Sequence, residues 1–208
     1  LRGFVNGVLR NIARNIDNIE YPDKSTNTDK YLSVKYSVPE ELAGYFLKKF
    51  GDNETEEMFE AFNKDKSTYI RCNTLKGSTD YIKKILEEEG VTVTEVSGLS
   101  YAYEISGYDY LTALKSFNEG LYQIQDISSM MAGEYVKPST DSLIVDVCAA
   151  PGGKSINAAL KLAEAAYDNK DIPESGISKE VLKGITGRVI ARDVSDYKAS
   201  LIDDNVAR

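Results

Sequence analysis

The sequence predicts an α/β fold in which the N-terminal part of a Rossmann-like domain follows a small α+β module and a helical tail. Three observations carry the prediction. Ser142 to Ser155 passes from a compact apolar strand (Leu143, Ile144, Val145, Val147), suited to burial in a parallel sheet, through a turn of small residues into a helix. Arg188 to Asp193 is a second short strand ending in a carboxylate. Between residues 68 and 105 the order strand, helix, strand, strand matches a ferredoxin-like or RNA-recognition module.

From the N-terminus, residues 1–19 form one amphipathic helix. Phe4, Val5, Val8, Leu9, Ile12 and Ile16 lie on its apolar side, with Arg2, Arg10 and Arg14 elsewhere. Such a stripe needs a partner, so it reads as the last helix of a helical domain. Residues 20–31, polar and holding Pro22, read as a linker. Ser37-Val-Pro-Glu40 has capping-box spacing before a helix carrying Leu42, Tyr45, Phe46 and Phe50, and Gly51 is placed to stop it. A helix over 54–63 is expected to bury Met58, Phe59 and Phe62. Thr68 to Thr74 is the first strand, Thr79 to Glu89 a helix closed by Gly90, Val91 to Val96 an alternating strand, and Tyr101 to Ile105 a third. Residues 32–118 are grouped as the α+β module.

Residues 119–208 are assigned to the Rossmann-like part. Gly120 to Asp126 leads into a helix from Ser128 to Tyr135, with Asp126 available to cap it, and Lys137-Pro138 breaks that helix. The helix after the turn extends to Tyr167. Asp168 to Gly187 is polar and reads as an insertion, peripheral or a mobile cover, with a short helix at Lys179 to Lys183. A helix then starts near Asp196. Leu1 is not an initiator methionine and only two strands follow residue 140, so the chain is expected to be truncated at both ends.

Composition narrows the chemistry. The 208 residues are 42% hydrophobic and 28% charged, and no apolar run approaches the roughly 18 residues needed to span a membrane. The expectation is a monomer in the cytoplasm. There is no histidine, and Cys72 and Cys148 stand far apart, which removes histidine-dependent triads and zinc sites, so no metal is expected. A net charge of −8 argues against broad non-specific nucleic-acid binding while leaving room for a local basic groove. The 14 tyrosines have no interleaved basic run and read mostly as core or rim residues.

The turn itself, Cys148-Ala-Ala-Pro-Gly-Gly-Lys154, lets a ligand approach the backbone, and the helix that follows aims its first amides at that ligand. It differs from the phosphate-binding pattern G-x-x-x-x-G-K-[ST] only where Cys148 replaces glycine, so a P-loop nucleotide hydrolase is an alternative. Pro151 weighs against it by deleting a backbone donor in the middle of the wrap. Asp193 suits the ribose hydroxyls of a nucleoside cofactor, or caps the helix near Asp196. Lys154, a cation at a helix N-terminus, either has a specific partner or is solvated.

Three segments together resemble the Sun/Fmu family of S-adenosylmethionine-dependent RNA 5-cytosine methyltransferases: Asn118-Glu-Gly-Leu-Tyr-Gln-Ile-Gln-Asp-Ile-Ser-Ser129, Asp146-Val-Cys-Ala-Ala-Pro-Gly-Gly-Lys154 and Ala191-Arg-Asp193. Tyr36-Ser-Val-Pro-Glu40 resembles the family's entry to its central domain, and Ile70-Arg-Cys-Asn-Thr-Leu-Lys76 its R-x-N-x-x-K strand. Phe4 to Asn11 is similar to the final helix of a NusB-like domain in the branch acting on small-subunit rRNA. The likeness covers nearly the whole chain apart from the 168–187 insertion, which is longer than the family's.

The resemblance implies S-adenosyl-L-methionine as cofactor, held by Cys148, Ala149, Ala150, Pro151, Gly152, Gly153, Lys154 and Asp193. It implies small-subunit rRNA as partner; strand alternation about Cys72 puts Arg71 and Asn73 on the opposite face as candidate RNA contacts or equally as a solvated face, and Gln125 is a further candidate contact. The family attacks cytosine C6 with a cysteine thiolate and methylates C5. Its two functional cysteines lie on motifs beyond the second strand, so no catalytic residue is expected here and the 208 residues alone are expected to be inactive. A further alternative is an RNA-binding module without chemistry. Cys148 is expected to line the cofactor, and Cys72 to be buried packing.

Overall fold

The computed structural model describes residues 2–18, 20–64, 66–167 and 171–208. They form two compact units, Leu1–Lys66 and Ser67–Arg208. The first is helical. Helix α1 (Arg2–Arg14) leaves Phe4, Val5, Val8, Leu9 and Ile12 exposed. Helix α2 (Thr28–Tyr36) begins inside the stretch read as a linker, because the Asn27 side chain accepts from the Lys30 amide at 3.0 Å and caps it. Helices α3 (Glu40–Phe50) and α4 (Asp52–Phe62) follow, and Leu32, Tyr36, Ala43 and Phe59 form the core.

Ser37 does not open α3 as its capping-box spacing predicts. It closes α2 in the left-handed region, φ 56°, since Pro39 forces Val38 out of the helical region and breaks the chain between the two helices. Gly51 stops α3 as expected. The apolar face is narrower than its pattern: Ala43 and Phe59 are buried, whereas Leu42, Tyr45 and Phe62 are exposed.

Glu56 ties this unit together, pairing with Lys24 and, at 2.9 Å, with Lys35. Lys24 and then Lys35 hold its carboxyl down at about 2 from an ordinary 4.5. A depressed carboxylate stabilises above its unfolded pKa, and that contribution fades as pH falls from 4.5 toward 2. Glu56→Gln is expected to lower stability by about 1 kcal/mol at pH 7 and by nothing near pH 2, read by urea unfolding at both values.

The second unit opens with β1 (Thr68–Cys72), α5 (Thr79–Glu88), β2 (Thr92–Glu95), β3 (Ala102–Ser106), α6 (Lys115–Asn118) and β4 (Tyr122–Ile124). The antiparallel sheet runs β2-β3-β1-β4, the ferredoxin-like order. Its fourth strand lies past residue 118, where the sequence reading ended the module. Ser78 caps α5, whose Ile82 and Leu86 pack with Ile70, Cys72, Tyr103 and Tyr122 into one core.

Helix α7 (Ile127–Val136) follows, then β5 (Leu143–Asp146), α8 (Gly153–Ala166), the short α9 (Lys179–Leu182), β6 (Arg188–Ala191) and α10 (Asp196–Ala207). β5 and β6 pair in parallel, Leu143 opposite Arg188 through Asp146 opposite Ala191, with α8 as the connecting helix. The strand is not buried on both faces as read from its apolar run: Leu143, Val145 and Val147 are exposed. Met130 on α7 completes a second cluster with Leu99, Tyr101 and Ala102.

The described part of the insertion, 171–187, is docked. Ile177 is buried and its amide donates to Thr74 O at 3.0 Å, while the Thr186 and Gly187 amides both donate to Thr140 O. Residues 168–170 of that insertion lie outside the described residues, as do Leu1 and Ile19 of the expected N-terminal helix. Among the described residues no helix is long and apolar enough to cross a membrane.

Candidate cofactor site

The turn between β5 and α8 is fixed by the ends of both parallel strands. Asp146 closes β5 and turns its carboxylate inward: Oδ1 accepts from the Cys148 amide at 3.2 Å and Oδ2 from Ser155 Oγ at 2.7 Å. From the end of β6, Arg192 O accepts the Ala149 amide at 2.9 Å, and Asp193 Oδ2 accepts the Ala150 amide at 3.0 Å. The Gly152 amide folds back onto Ala149 O. Pro151 has no N–H. Every amide from Cys148 to Gly152 that exists, other than the proline's missing one, is therefore engaged by the protein.

Asp193 does not cap α10, since Ser195 does that through its hydroxyl. Its side chain is only 6% exposed, and Oδ1 accepts from the Val194 amide at 2.8 Å with Lys198 Nζ at 3.5 Å. The amides of Ala150 and then Val194 hold its carboxyl below the usual carboxylate range. A carboxylate has about four lone-pair directions, so this arrangement leaves acceptor capacity unused.

Gly152 is the N-cap of α8 and makes no side-chain cap, so the first-turn amides from Gly153 onward lack intrahelical acceptors. Beside them is a cavity of about 180 Å³, lined by Cys148, Ala149, Ala150, Pro151, Gly153 and Lys154 together with Gln125, Asp126, Ser129 and Asp146. The structure thus brings six of the seven expected turn residues to one cavity, with Gly152 buried behind them and Asp193 bracing from outside. Cys148 is exposed at its edge. Cys72 is buried in the sheet core, and burial pushes its thiol well above the usual range, so it carries no reactive thiolate.

Of the three candidate RNA contacts, Arg71 and Gln125 are buried and Asn73 is half-buried. Arg71 is 2% exposed and donates through Nη1 to Gln125 Oε1 (2.7 Å) and Gly153 O (2.8 Å), and through Nη2 to Gln123 Oε1 (2.6 Å). Gln125 is 6% exposed. Asn73 donates to Gly120 O at 2.9 Å and accepts from the Leu75 amide. β1 lies between β3 and β4, so the alternation that puts Cys72 in the core puts Arg71 against α8, with its guanidinium committed to protein acceptors. Asp126 stands at the N-cap of α7 without a side-chain bond and faces the cavity instead.

Sequence reasoning passed over Asp146 and Gln123. The position of Asp146 at the carboxyl end of a parallel strand was a usable signal. Gln123 had none, because its importance lies in a cross-strand pairing with Arg71. Among the described residues no group of three or more His, Cys, Asp or Glu is placed to hold a metal ion.

A parallel strand pair with a braced small-residue turn, joined to a ferredoxin-like sheet, defines a Rossmann-like nucleoside-binding architecture. The chain is similar to the Sun/Fmu family: residues 38–107 match the ferredoxin-like domain of RsmF/B-like methyltransferases. It is 34% identical over 162 residues to the probable ribosomal RNA small subunit methyltransferase B of Synechocystis sp., covering 76% of this chain and 35% of that protein. With ribosomal RNA small subunit methyltransferase B of Photorhabdus laumondii it shares 28% identity over 208 residues, all of this chain and 42% of the relative. The chain therefore spans between a third and a half of these curated relatives. In fold it is similar to a methyltransferase homologue from Pyrococcus horikoshii, with TM-score 0.64, 22% identity, and coverage of 89% of this chain and 53% of that one.

Proposed function

We propose that the chain is part of an RNA cytosine-C5 methyltransferase that uses S-adenosyl-L-methionine and acts, as a cytoplasmic monomer, on small-subunit ribosomal RNA. One observation carries the choice of ligand: the amides of Cys148, Ala149, Ala150 and Gly152 are all engaged within the protein. A triphosphate cradle needs those donors free, so the P-loop hydrolase reading loses its chemistry. A nucleoside lying along the turn needs only a surface without side chains.

The residues fit such a ligand. Ala149, Ala150 and Pro151 offer that surface, and Cys148 stands at its edge. The uncapped first turn of α8 and the Lys154 ammonium suit one carboxylate, the amino-acid end of the cofactor. Asp193 holds Ala150 in place and keeps acceptor capacity for a ribose hydroxyl. When bound, S-adenosylmethionine supplies an electrophilic methyl group. The RNA contact is assigned to the ferredoxin-like module, with Asn73 a candidate and without Arg71 or Gln125, whose side chains are buried.

Calorimetric titration of the whole protein with S-adenosylhomocysteine and with ATP tests the reading. The nucleoside is expected to bind with Kd on the order of 1–100 μM and ATP no tighter than about 1 mM. Tight ATP binding without S-adenosylhomocysteine binding overturns it. Methyl transfer to C5 of cytosine in unmodified small-subunit rRNA is the accompanying activity.

A further inference from the structure

Arg71 belongs to the central strand of the ferredoxin-like sheet, yet its fork reaches into the cofactor turn. Its strand partner is Gln123, directly opposite on β4, and Gln125 lies two residues on, at the end of that strand on the same face. Both amide oxygens accept from the guanidinium, and so does the Gly153 carbonyl in the first turn of α8. Arginine carries donors only, so neither amide can turn over without facing donor to donor.

The arrangement is a poor one for stability alone. Arg71 forms no ion pair with any described carboxylate, and its Nε and Gln125 Nε2 are buried without partners. Burial lowers the guanidinium to about 10, opposed only through space by groups that make no bond to it, Tyr101 and Glu164 first. An apolar side chain of the same volume avoids that desolvation. What the guanidinium supplies and an apolar group does not is three bonds of fixed direction to two elements.

Resting on the proposed function, we propose that Arg71 is a positioning residue for methyl transfer. It acts through Gly153 and Gln125, fastening the start of α8 to the ferredoxin-like sheet so that the carboxylate end of the cofactor and the RNA-binding module keep one separation. Lysine cannot replace it, because a point ammonium does not reproduce the fork.

The test compares two nucleosides in the whole protein: S-adenosylhomocysteine, which carries the amino-acid end, and methylthioadenosine, which lacks it. Arg71→Lys is expected to weaken the first by about tenfold and the second by less than about threefold, the loss of one charge-assisted bond at the α8 start. A cavity of about 310 Å³ adjoins Arg71. Millimolar guanidinium entering it is therefore expected to restore S-adenosylhomocysteine affinity to Arg71→Ala, and urea is expected not to. If Arg71→Lys fails to fold, Gln125→Met, which leaves Arg71 in place, is expected to give a selective loss of about threefold. Equal weakening of both nucleosides, or no weakening in a folded variant, overturns the positioning role while leaving the proposed function intact. A wild type that binds neither nucleoside removes the function reading, and the role of Arg71 with it.

Discussion

Asp193→Ala is expected to lower the affinity of the whole protein for S-adenosylhomocysteine on the order of a hundredfold, by removing two charge-assisted bonds at once. One is the existing brace on the Ala150 amide, at 3.0 Å. The other is the ribose hydroxyl bond proposed for the remaining acceptor capacity of the carboxylate. Asp193→Asn separates them. Its carbonyl oxygen can still accept from Ala150, but its NH2 then faces the Val194 amide or Lys198, so an intermediate loss of about tenfold is expected. The pH dependence adds a check. The amides of Ala150 and Val194 lower the carboxyl, so its contribution is complete above an ordinary 3.8 and fades only as pH falls further through the folded value. Affinity measured from pH 5 to pH 8 is therefore expected to show no titration from this group. Asp193→Ala binding within threefold of wild type would falsify the assignment.

How much of this was legible in the sequence depends on whether a residue's role is local. The turn and its flanking strand and helix were readable, because an apolar run followed by small residues leaves few alternatives. So were α5 and the strands on either side of it, though not the Ser78 side chain that caps the helix. β4 was not, since three residues holding Gln123 carry no alternation to recognise; it is a strand because β1 offers it an edge. The same holds for Arg71 and Gln125. Polar types read as solvent-facing, and only the tertiary pairing makes their burial tolerable. Ser37 was misread for a local reason: S-x-x-E spacing was present, but Pro39 at the third position fixed Val38 in an extended conformation and handed Ser37 to the preceding helix. The insertion looked loose by composition. It is docked because Gly176, at φ 77°, lets the chain pass against Leu75 O, where a side chain would collide.

Gly152→Val is expected to be the most damaging single change in the turn. Gly152 sits at φ 103° and ψ −4°, a region that L residues rarely adopt and that a β-branched residue adopts at substantial cost. A Cβ there already touches Ile156 Cδ1 and Ile202 Cγ2 at 3.4 Å, with the Ile202 Cα at 3.6 Å, so the two further methyl groups of valine are added against the packed side chains of α8 and α10. Backbone strain and overpacking together are expected to remove about 3 kcal/mol or more of stability, read by urea unfolding. Binding is expected to fall with it, because the Gly152 amide that closes the turn on Ala149 O must move. Gly153→Ala is the contrast that separates conformation from crowding. Its added Cβ meets nothing closer than Gln125 at 3.9 Å, and its φ lies outside the left-handed region. As the first residue of α8 it gains helix propensity, so stability is expected to stay level or rise by about 0.5 kcal/mol. If both variants lose stability equally, the turn is intolerant of any side chain and the strain assigned to residue 152 is not the cause.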